Sequence, residues 1–399
     1  MNSEPISNQG FASKTSECPR PSSAARRTSR VSKFYERSIE ERLEFVKEFA
    51  DLSDEEINLL KSSPDQNTSD KIIENVIGNY SLPIGIAVNF QINDKDYLIP
   101  MVLEEPSVVA AASNAAKLAR ECGGFTTSAD DPVMIGQIHV FDSKHPNVVQ
   151  HILAKKEELL SVANSKDPMM IERGGGAKDL DVKIINDNHI RIHLYVDCRD
   201  AMGANAVNTM VEAIAPLITD EIGGKAVLKI ISNMADRRLV RAECTFSRDL
   251  LGDDTIDLIH KGQLAAEADS YRAATHNKGI MNAISAICVA TGNDWRAVEA
   301  GAHAFAGRGE GYNPLTKYQI LNHGDLLASI ELPLAVATVG GSTKLPQARV
   351  NQKIIGAQTS QELAQVMAAA GLAQNFAALK AITTEGIQKG HMRLHERKN

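Results

Sequence analysis

A dense run of polar side chains interrupts an otherwise apolar helical stretch in the second half of the chain. It contains Arg272, Thr275 and Lys278, and fewer glutamates than a solvated helix face would show. The planar guanidinium of an arginine suits a carboxylate, whereas a lysine ammonium suits an oxyanion that develops during a reaction. The segment therefore predicts a site for an anionic substrate, with the exposed start of a helix as the alternative.

Two carboxylates stand where reactive groups are commonly placed. Glu105 follows a hydrophobic strand and precedes Pro106, which suits the first position of a helix. Asp294 precedes Trp295, the only tryptophan of the chain. It is a candidate both for chemistry and for capping a helix that starts at Trp295, and the two roles are compatible. Glu104 is the competing acidic candidate and is expected to be solvated.

A glycine-containing turn, Asp200-Ala-Met-Gly-Ala-Asn205, opens a predicted helix. Backbone N–H groups at a helix N-terminus suit a pyrophosphate, although a glycine before a helix is common. No GxGxxG sequence follows a strand, so a dinucleotide would have to bind at a non-Rossmann site. The loop at 340–344 is a second candidate phosphate cradle, with a plain turn as the favoured alternative.

A histidine near the C-terminus is a further candidate. His391 lies in a Gly-His-Met sequence among basic residues, where a solvated histidine is the alternative. The sequence has neither an HExxH motif nor a CxxC pair, so it predicts no metal site.

The spacing of apolar residues predicts the elements that position these side chains. Alternation over 83–103 predicts a hairpin, followed by an Ala-rich helix. Residues 131–232 are expected to form a separate α/β unit, and 251–306 a long helical region. The other predicted elements are a short helix over 70–77, β-structure over 311–351, and two helices over roughly 359–370 and 375–388.

The composition is that of an ordinary globular protein of two or three domains, with 399 residues, 43% hydrophobic and 23% charged. The formal net charge of -7 argues against a nucleic-acid partner. No apolar stretch appears long enough to cross a bilayer, and few, scattered cysteines fit the reducing cytosol. We therefore expect a cytoplasmic protein without a membrane partner. The Ser-rich residues 1–35 are expected to form a disordered tail, with a transit peptide as the lesser alternative.

Five motifs, in order, resemble those of the 3-hydroxy-3-methylglutaryl-CoA (HMG-CoA) reductase family. They are Glu74-Asn-Val-Ile-Gly78, Glu104-Glu-Pro-Ser107, Asp200-Ala-Met-Gly-Ala-Asn205, Thr275-His-Asn-Lys-Gly279 and Gly292-Asn-Asp294. The resemblance runs from about residue 40 to 395, and several motifs in family order make it specific. The expected lack of membrane spans matches the soluble, bacterial-type class II branch.

The resemblance implies an α+β fold of two domains. A large, mainly helical substrate-binding domain would comprise residues 36–131 and 233–390. A small inserted α/β domain at 132–232, ferredoxin-like and not Rossmann-like, would bind the cofactor. Residues 391–399 would be the remnant of a C-terminal flap.

The resemblance also implies an activity, the four-electron reduction of HMG-CoA to mevalonate and CoA with two NADH or NADPH, or the reverse oxidation. Lys278 matches the family's catalytic lysine, which stabilises the oxyanion formed by hydride attack on the thioester. Glu105 matches the acid for the second carbonyl, and Asp294 matches the aspartate that links the lysine and the glutamate. His391 matches the acid that protonates the departing CoA thiolate.

Further positions carry over residue by residue from the family. Those that resemble HMG-binding positions are Ser107, Arg272, Thr275, Asn282 and Gln374. Those that resemble the dinucleotide site are Asp200, Met202, Gly203 and Asn205. Asp167 lies where some class II members carry an acidic residue facing the adenosine ribose, which favours NADH because a carboxylate repels a 2′-phosphate. Residues 74–78 resemble a motif at the interface of a homodimer with shared active sites.

One departure from the family leaves a second hypothesis open. Class II members continue well past the Gly-His-Met motif as a mobile flap, whereas this chain stops at Asn399. A shortened flap would bring His391 to the substrate less effectively. The alternative function is therefore a catalytically weak homologue that binds acyl-CoA within an oligomer.

Overall fold

The computed structural model describes residues 27–62, 64–384 and 386. Its strands are β1 (Ile84–Ile92), β2 (Lys95–Val102), β3 (Thr126–Ala129), β4 (Val133–Phe141), β5 (Gly176–Asn186), β6 (His189–Asp197), β7 (Lys225–Ser232), β8 (Leu239–Phe246), β9 (Thr316–Ile320) and β10 (Leu326–Pro333). Its helices are α1 (Ile39–Ala50), α2 (Asp54–Lys61), α3 (Gln66–Asp70), α4 (Val108–Arg120), α5 (Val148–Ala154), α6 (Lys156–Asn164), α7 (Pro168–Glu172), α8 (Ala204–Ile222), α9 (Arg248–Leu251), α10 (Asp253–Ala268), α11 (Ser270–Ala290), α12 (Trp295–Ala306), α13 (Pro346–Ile355) and α14 (Ser360–Thr383).

The largest hydrophobic core lies around an antiparallel sheet of order β3-β8-β10-β9 and the β1-β2 hairpin. β8 and β10 alternate between buried and half-exposed residues, as expected when one face of a sheet packs against helices. Helices α4, α10, α11, α12 and α14 complete this core. The end of β2 and the helix α11, which carry the candidate reactive groups, therefore belong to one packed unit.

A second core forms around the antiparallel sheet of order β5-β6-β4-β7. In chain order the unit runs strand, helices, two strands, helix, strand, which is the ferredoxin-like arrangement. One face of the sheet packs against helices that include α8, whose Val207 and Val211 lie against Gly136 of β4. The α+β class and the ferredoxin-like character of this unit are confirmed.

The helices at the start of the described chain form a small third core with α13. Each of α1 and α2 begins with a capping box, in which a serine and a glutamate satisfy each other's backbone N–H groups. The buried residues of this core include Val46, Ile57 and Ile354, and Val88 and Leu98 of the hairpin join them. The hairpin is thus covered on both faces.

Helix α14 contradicts the expectation that no stretch is long enough to cross a bilayer. By length and composition its 24 residues satisfy that requirement. However, 67% of its apolar window is buried inside the protein. Leu363, Met367 and Phe376 are all fully or almost fully buried in the first core. Its apolar character is that of a core helix.

The same helix shows why apolar spacing misplaced its boundaries. The sequence predicted two helices, over 359–370 and 375–388, whereas α14 is continuous from Ser360 to Thr383. Gly371 falls in the predicted break. A Cβ atom there would lie 2.9 Å from Ile284 Cδ1 and 3.1 Å from Ile280 Cγ2 of α11. The glycine is therefore a point of close helix–helix contact, not a helix end.

Two other predicted elements are wrong in position. The predicted β-structure over 311–351 contains β9 and β10, but α13 replaces its end because Pro346 starts a helix. In place of the predicted helix over 70–77, the chain forms α3, which ends at Asp70. The observed helix starts earlier because Asp65 caps it, and residues 71–77 cannot continue it because Asn75 has a φ of 57°, which a right-handed helix does not accept.

Helix α12 makes a similarly close contact with the segment that leaves β7. A Cβ atom on Gly301 would lie 2.7 Å from the backbone oxygen of Asn233, in the segment that leaves β7. A backbone atom cannot rotate away as a side-chain end can.

We predict that Gly301→Ala lowers the free energy of unfolding. Overpacking costs about 1–3 kcal/mol, and a clash with backbone belongs to the upper part of that range, so the cost should exceed the gain of about 1 kcal/mol that alanine brings to a helix interior. Thermal and chemical denaturation measure the difference.

Gly279→Ala in α11 is the matched control. A Cβ atom at Gly279 would lie 3.7 Å from Asn375 and 3.8 Å from Ala378, which are ordinary contacts. This variant should be neutral or more stable than the parent. Equal losses of stability in both variants would contradict the close contact at Gly301.

Candidate active site

An ion pair between two distant parts of the chain defines the centre of the candidate site. Lys278 Nζ of α11 lies 3.0 Å from Glu105 Oε2, which follows β2. Their side chains are 58% and 39% exposed, so both charges remain accessible to a ligand. The sequence prediction named both residues, and the fold brings them into contact across 173 positions.

The backbone beside Glu105 is strained in a way that the sequence did not predict. Ser107 has a φ of 78°, which a serine rarely adopts, and α4 begins at Val108, so Pro106 is not its first residue. The buried Ser107 Oγ has no hydrogen-bond partner within the described residues. A strained residue with an unused hydroxyl is typical of a binding site.

Arg272 lies on α11, about 1.7 helical turns before Lys278, and is half-buried. Burial lowers the pKa of its guanidinium, and among the described residues no carboxylate forms an ion pair with it. Such a cation gains more from an anionic ligand than a solvated one would. Thr275 and the half-buried Asn282 lie on the same helix. Thr275 donates to the backbone oxygen of Tyr271 at 3.4 Å.

Two residues inside the same motif turn inward and anchor the helix, which sequence reasoning missed. His276 is 1% exposed and its Nε2 lies 2.5 Å from Thr316 Oγ1. Asn277 donates to the backbone oxygen of Asn313 at 2.9 Å and accepts from Leu315 N–H at 3.0 Å. Burial, with a smaller contribution from Arg272, lowers the pKa of His276 to about 3. The ring is therefore neutral, and these bonds fix α11 against the start of β9.

Helix α14 brings a further candidate to the site. Asn375 Nδ2 donates to the backbone oxygen of His276 at 2.9 Å, which ties α14 to α11. Its neighbour Gln374 is 5% exposed, and the Gln374 Oε1 atom has no partner in the described part of the chain. A buried acceptor without a donor suits a ligand hydroxyl.

Asp294 caps α12, as one of its two predicted roles required. Its carboxylate accepts from the backbone N–H groups of Arg296 and Ala297 at 3.1 Å each, and lies 3.2 Å from the Arg296 guanidinium. In the described ranges it forms no hydrogen bond or ion pair with Lys278 or Glu105. The structure therefore shows its structural role directly, and places it at the end of α11.

The candidate dinucleotide turn lies at the N-terminus of α8, in the second unit. Gly203 has a φ of 100°, and a Cβ atom there would lie 2.2 Å from Cys198 Sγ, so only glycine fits. The N-cap residue of α8 is Gly203, so this helix has no side-chain cap of its own. Its backbone N–H groups, next to the half-buried Met202 and the exposed Asn205, are thus available to an anion.

Asp200, at the start of this turn, accepts hydrogen bonds from two other parts of the chain. Its carboxylate accepts from Ser360 N–H at 2.8 Å, at the N-terminus of α14. Its backbone oxygen accepts from Thr338 N–H at 3.0 Å. The structure thus gives Asp200 an anchoring contact that the sequence did not predict.

Asp167 caps the short helix α7 by accepting from Met170 N–H at 3.0 Å. It also lies near the turn. Burial raises the pKa of the Cys198 thiol to about 12, and Asp167 adds a smaller effect of the same sign. Because Cys198 contacts Gly203, Asp167 and the turn share one neighbourhood.

The remaining predictions concern the loop at 340–344, His391 and metal binding. The loop at 340–344 forms a 3-10 turn in which Thr343 N–H bonds to the Gly340 oxygen, as the plain-turn alternative predicted. His391 lies outside the described residues. Among those that are described, no group of three or more histidine, cysteine, aspartate or glutamate side chains is placed to hold a metal ion.

Comparison with known proteins identifies the family of this chain. The model of the hydroxymethylglutaryl-coenzyme A reductase family matches residues 38–396. A 3-hydroxy-3-methylglutaryl-coenzyme A reductase of Archaeoglobus fulgidus is 53% identical over 377 residues, covering 93% of this chain and 86% of the relative. A probable reductase of Borreliella burgdorferi is 37% identical, covering 92% and 85%.

Solved structures agree with the sequence comparison. A class II 3-hydroxy-3-methylglutaryl-CoA reductase from Streptococcus pneumoniae, bound to NADPH in open conformations, is 42% identical, with a TM-score of 0.85. The match covers 88% of this chain and 99% of that one. The chain belongs to the hydroxymethylglutaryl-coenzyme A reductase family, on its class II branch.

Proposed function

We propose that this chain catalyses the four-electron reduction of HMG-CoA to mevalonate and CoA, or its reverse. As a member of this family it is an NAD(P)-dependent oxidoreductase. The contact between Lys278 and Glu105 carries the proposal, because it joins a cation and an acid at an accessible point. A carbonyl bound there would meet a group that stabilises an oxyanion and a group that can transfer a proton.

Each reactive residue then has a defined task. Lys278 stabilises the negative charge that develops on the thioester oxygen. Glu105 supplies the proton to the second carbonyl. Asp294, at the start of α12, tunes the proton affinities of the lysine and the glutamate, as the family resemblance implies. His391 protonates the CoA thiolate.

The substrate's carboxylate and hydroxyl have matching partners in the site. Arg272 is half-buried and pairs with no carboxylate in the described part of the chain, so it suits the carboxylate of HMG. Ser107 Oγ and Gln374 Oε1, which have no hydrogen-bond partner among the described residues, suit polar groups of the same ligand. Thr275 and Asn282 complete the set of HMG-binding residues.

The nicotinamide cofactor, which supplies hydride, fits the turn before α8. The uncapped N-terminus of this 19-residue helix suits a pyrophosphate. Gly203 leaves the backbone open where any side chain would collide. Asp200, Met202 and Asn205 frame the turn, and Asp167 near it favours NADH over NADPH.

The two cores support a division into domains. Apart from Ala335, the buried residues of the second core lie between Met134 and Ala235. We assign residues 132–232 to a small cofactor-binding domain. We assign residues 36–131 and 233–390 to the large domain.

Residues 27–35, expected to belong to a disordered tail, contact this domain instead. Ser29, which is fully buried, donates from Oγ to the backbone oxygen of Phe90 at 2.9 Å. Val31 N–H donates to Asn89 Oδ1 at 2.9 Å.

A homodimer with shared active sites is the assembly we propose. Residues 74–78 carry the family's interface motif, and large apolar side chains are exposed beside it: Ile77 fully, Tyr80 by 89% and Ile73 by 63%. Exposed apolar groups in one place mark an interaction surface. A cytoplasmic location fits such an assembly. The alternative of a catalytically weak homologue gains no support from the comparisons.

We predict that Lys278→Ala reduces kcat for HMG-CoA reduction by about 10²–10³-fold, because an oxyanion loses its stabilising cation. The fold should persist, since the lysine side chain is exposed. Steady-state kinetics and thermal denaturation measure both effects.

Lys261→Ala is the matched control, since Lys261 forms an exposed ion pair with Asp257 on α10 at 2.6 Å. Its kcat should equal that of the parent. Near-normal turnover in Lys278→Ala would remove the oxyanion role.

Asp167→Asn tests the cofactor preference without disturbing α7. Asparagine caps a helix as well as aspartate does, so stability should stay unchanged. Loss of the negative charge should lower the ratio of kcat/KM for NADH to that for NADPH by about tenfold, which is about 1.4 kcal/mol. An unchanged ratio would contradict a contact between Asp167 and the ribose.

A further inference from the structure

A buried arginine contacts the candidate cofactor turn from inside the protein. Arg238, between β7 and β8, is only 5% exposed. Its guanidinium donates to the backbone oxygens of Ala201 at 3.1 Å and Val336 at 2.5 Å. A charge is buried at a cost unless hydrogen bonds satisfy it, so a buried guanidinium with carbonyl partners fixes the backbone that it contacts.

Helix α14 also bonds to this turn and to the residue before it. Ser360, its first residue, is 1% exposed and donates from Oγ to the backbone oxygen of Arg199 at 2.8 Å. Its backbone N–H donates to the carboxylate of Asp200 at 2.8 Å. The positive end of the helix dipole favours a carboxylate at this position. Residues 199–201 are therefore bonded by both Arg238 and α14.

The segment 334–339 connects this turn to the proposed reactive centre. Arg238 bonds to the oxygen of Val336. Asn293, adjacent to Asp294, exchanges two hydrogen bonds with the backbone of Ala337, at 2.7 and 3.1 Å. Thr338 N–H then bonds to the oxygen of Asp200. Consecutive residues of one segment thus reach both the turn and the start of α12.

We propose that Arg238 and Ser360 are positioning residues that fix the cofactor turn relative to Asp294. They touch neither substrate nor cofactor, and act through the backbone of residues 199–201. The inference rests on the proposed function, since it takes the turn before α8 as the dinucleotide site. Arg238 thereby helps to determine the position of the bound cofactor, in addition to its role in packing.

The test compares Arg238→Met, Arg238→Lys and Ser360→Ala with the parent in the full chain. Arg238→Met should raise both the KM and the dissociation constant for the nicotinamide cofactor by about tenfold, through loss of charge-assisted hydrogen bonds. The KM for HMG-CoA should change by less than about twofold, since Arg272 and Ser107 are untouched. Cofactor fluorescence gives the dissociation constant without turnover.

The two milder variants refine the expectation. Lysine retains the charge but cannot reach two oxygens with a planar fork, so Arg238→Lys should restore part of the affinity. Ser360→Ala removes one hydroxyl and should weaken cofactor binding in the same direction by a smaller factor.

Arg120→Met is the matched control. Arg120 is also nearly buried, but it pairs with Asp96 in the first core, away from the turn. This variant should lose stability with an unchanged cofactor dissociation constant.

The outcomes separate three cases. Weaker cofactor binding in the Arg238 and Ser360 variants, but not in Arg120→Met, supports the inference. Unchanged cofactor binding in Arg238→Lys and Ser360→Ala overturns it, even where Arg238→Met does not fold. A parent chain that neither binds the cofactor nor turns over would instead refute the proposed function.

Discussion

The structure depends on the close packing of two long buried helices, α11 and α14. Gly371 allows this approach, because a side chain there would meet Ile280 and Ile284. The hydrogen bond from Asn375 to the backbone of His276 fixes the two helices along their length. As a result Lys278 and Gln374 lie on elements that cannot shift independently. At the other end of α14, Ser360 reaches the turn proposed to hold the cofactor. One helix therefore connects the two halves of the proposed reaction.

In the candidate site, the charged groups proposed to react are exposed, whereas the groups that hold the helices in position are buried. Lys278 and Glu105 keep their ion pair at the surface, where a ligand can displace water from it. The buried polar positions of α11, α14 and the turn before α12 carry neutral groups. The amides of Asn277, Asn293 and Asn375 are hydrogen-bonded at both ends, and the imidazole of His276 is bonded at Nε2 but not, within the described residues, at Nδ1. Neutral polar groups with satisfied hydrogen bonds cost less to bury than ions do. Arg238 and Asp197 are buried charged residues in the described part of the chain, and the Arg238 guanidinium is held by the backbone oxygens of Ala201, in the cofactor turn, and of Val336.

Much of the site could be predicted from the sequence, because its motifs are local. The spacing of Arg272, Lys278 and Asp294 marked one helix and the start of the next, and α11 and α12 confirm it. The contact of Lys278 with Glu105 joins distant parts of the chain, so no local pattern indicates it. The family resemblance implied only that Asp294 links the two residues. Continuous burial of α14 removed the helical periodicity that would have shown its length, so its boundaries were wrong. Arg238 and Ser360 escaped notice because their partners are backbone oxygens, which leave no sequence signal.

The central claim is that Lys278, Glu105 and the turn before α8 together carry out two successive hydride reductions of a thioester. The stoichiometry of cofactor oxidation tests it most directly. Purified chain, supplied with HMG-CoA and excess NADH or NADPH, should oxidise two molecules of cofactor for each molecule of CoA released. No HMG-CoA-dependent oxidation at any cofactor concentration, or oxidation without release of CoA, would contradict the account.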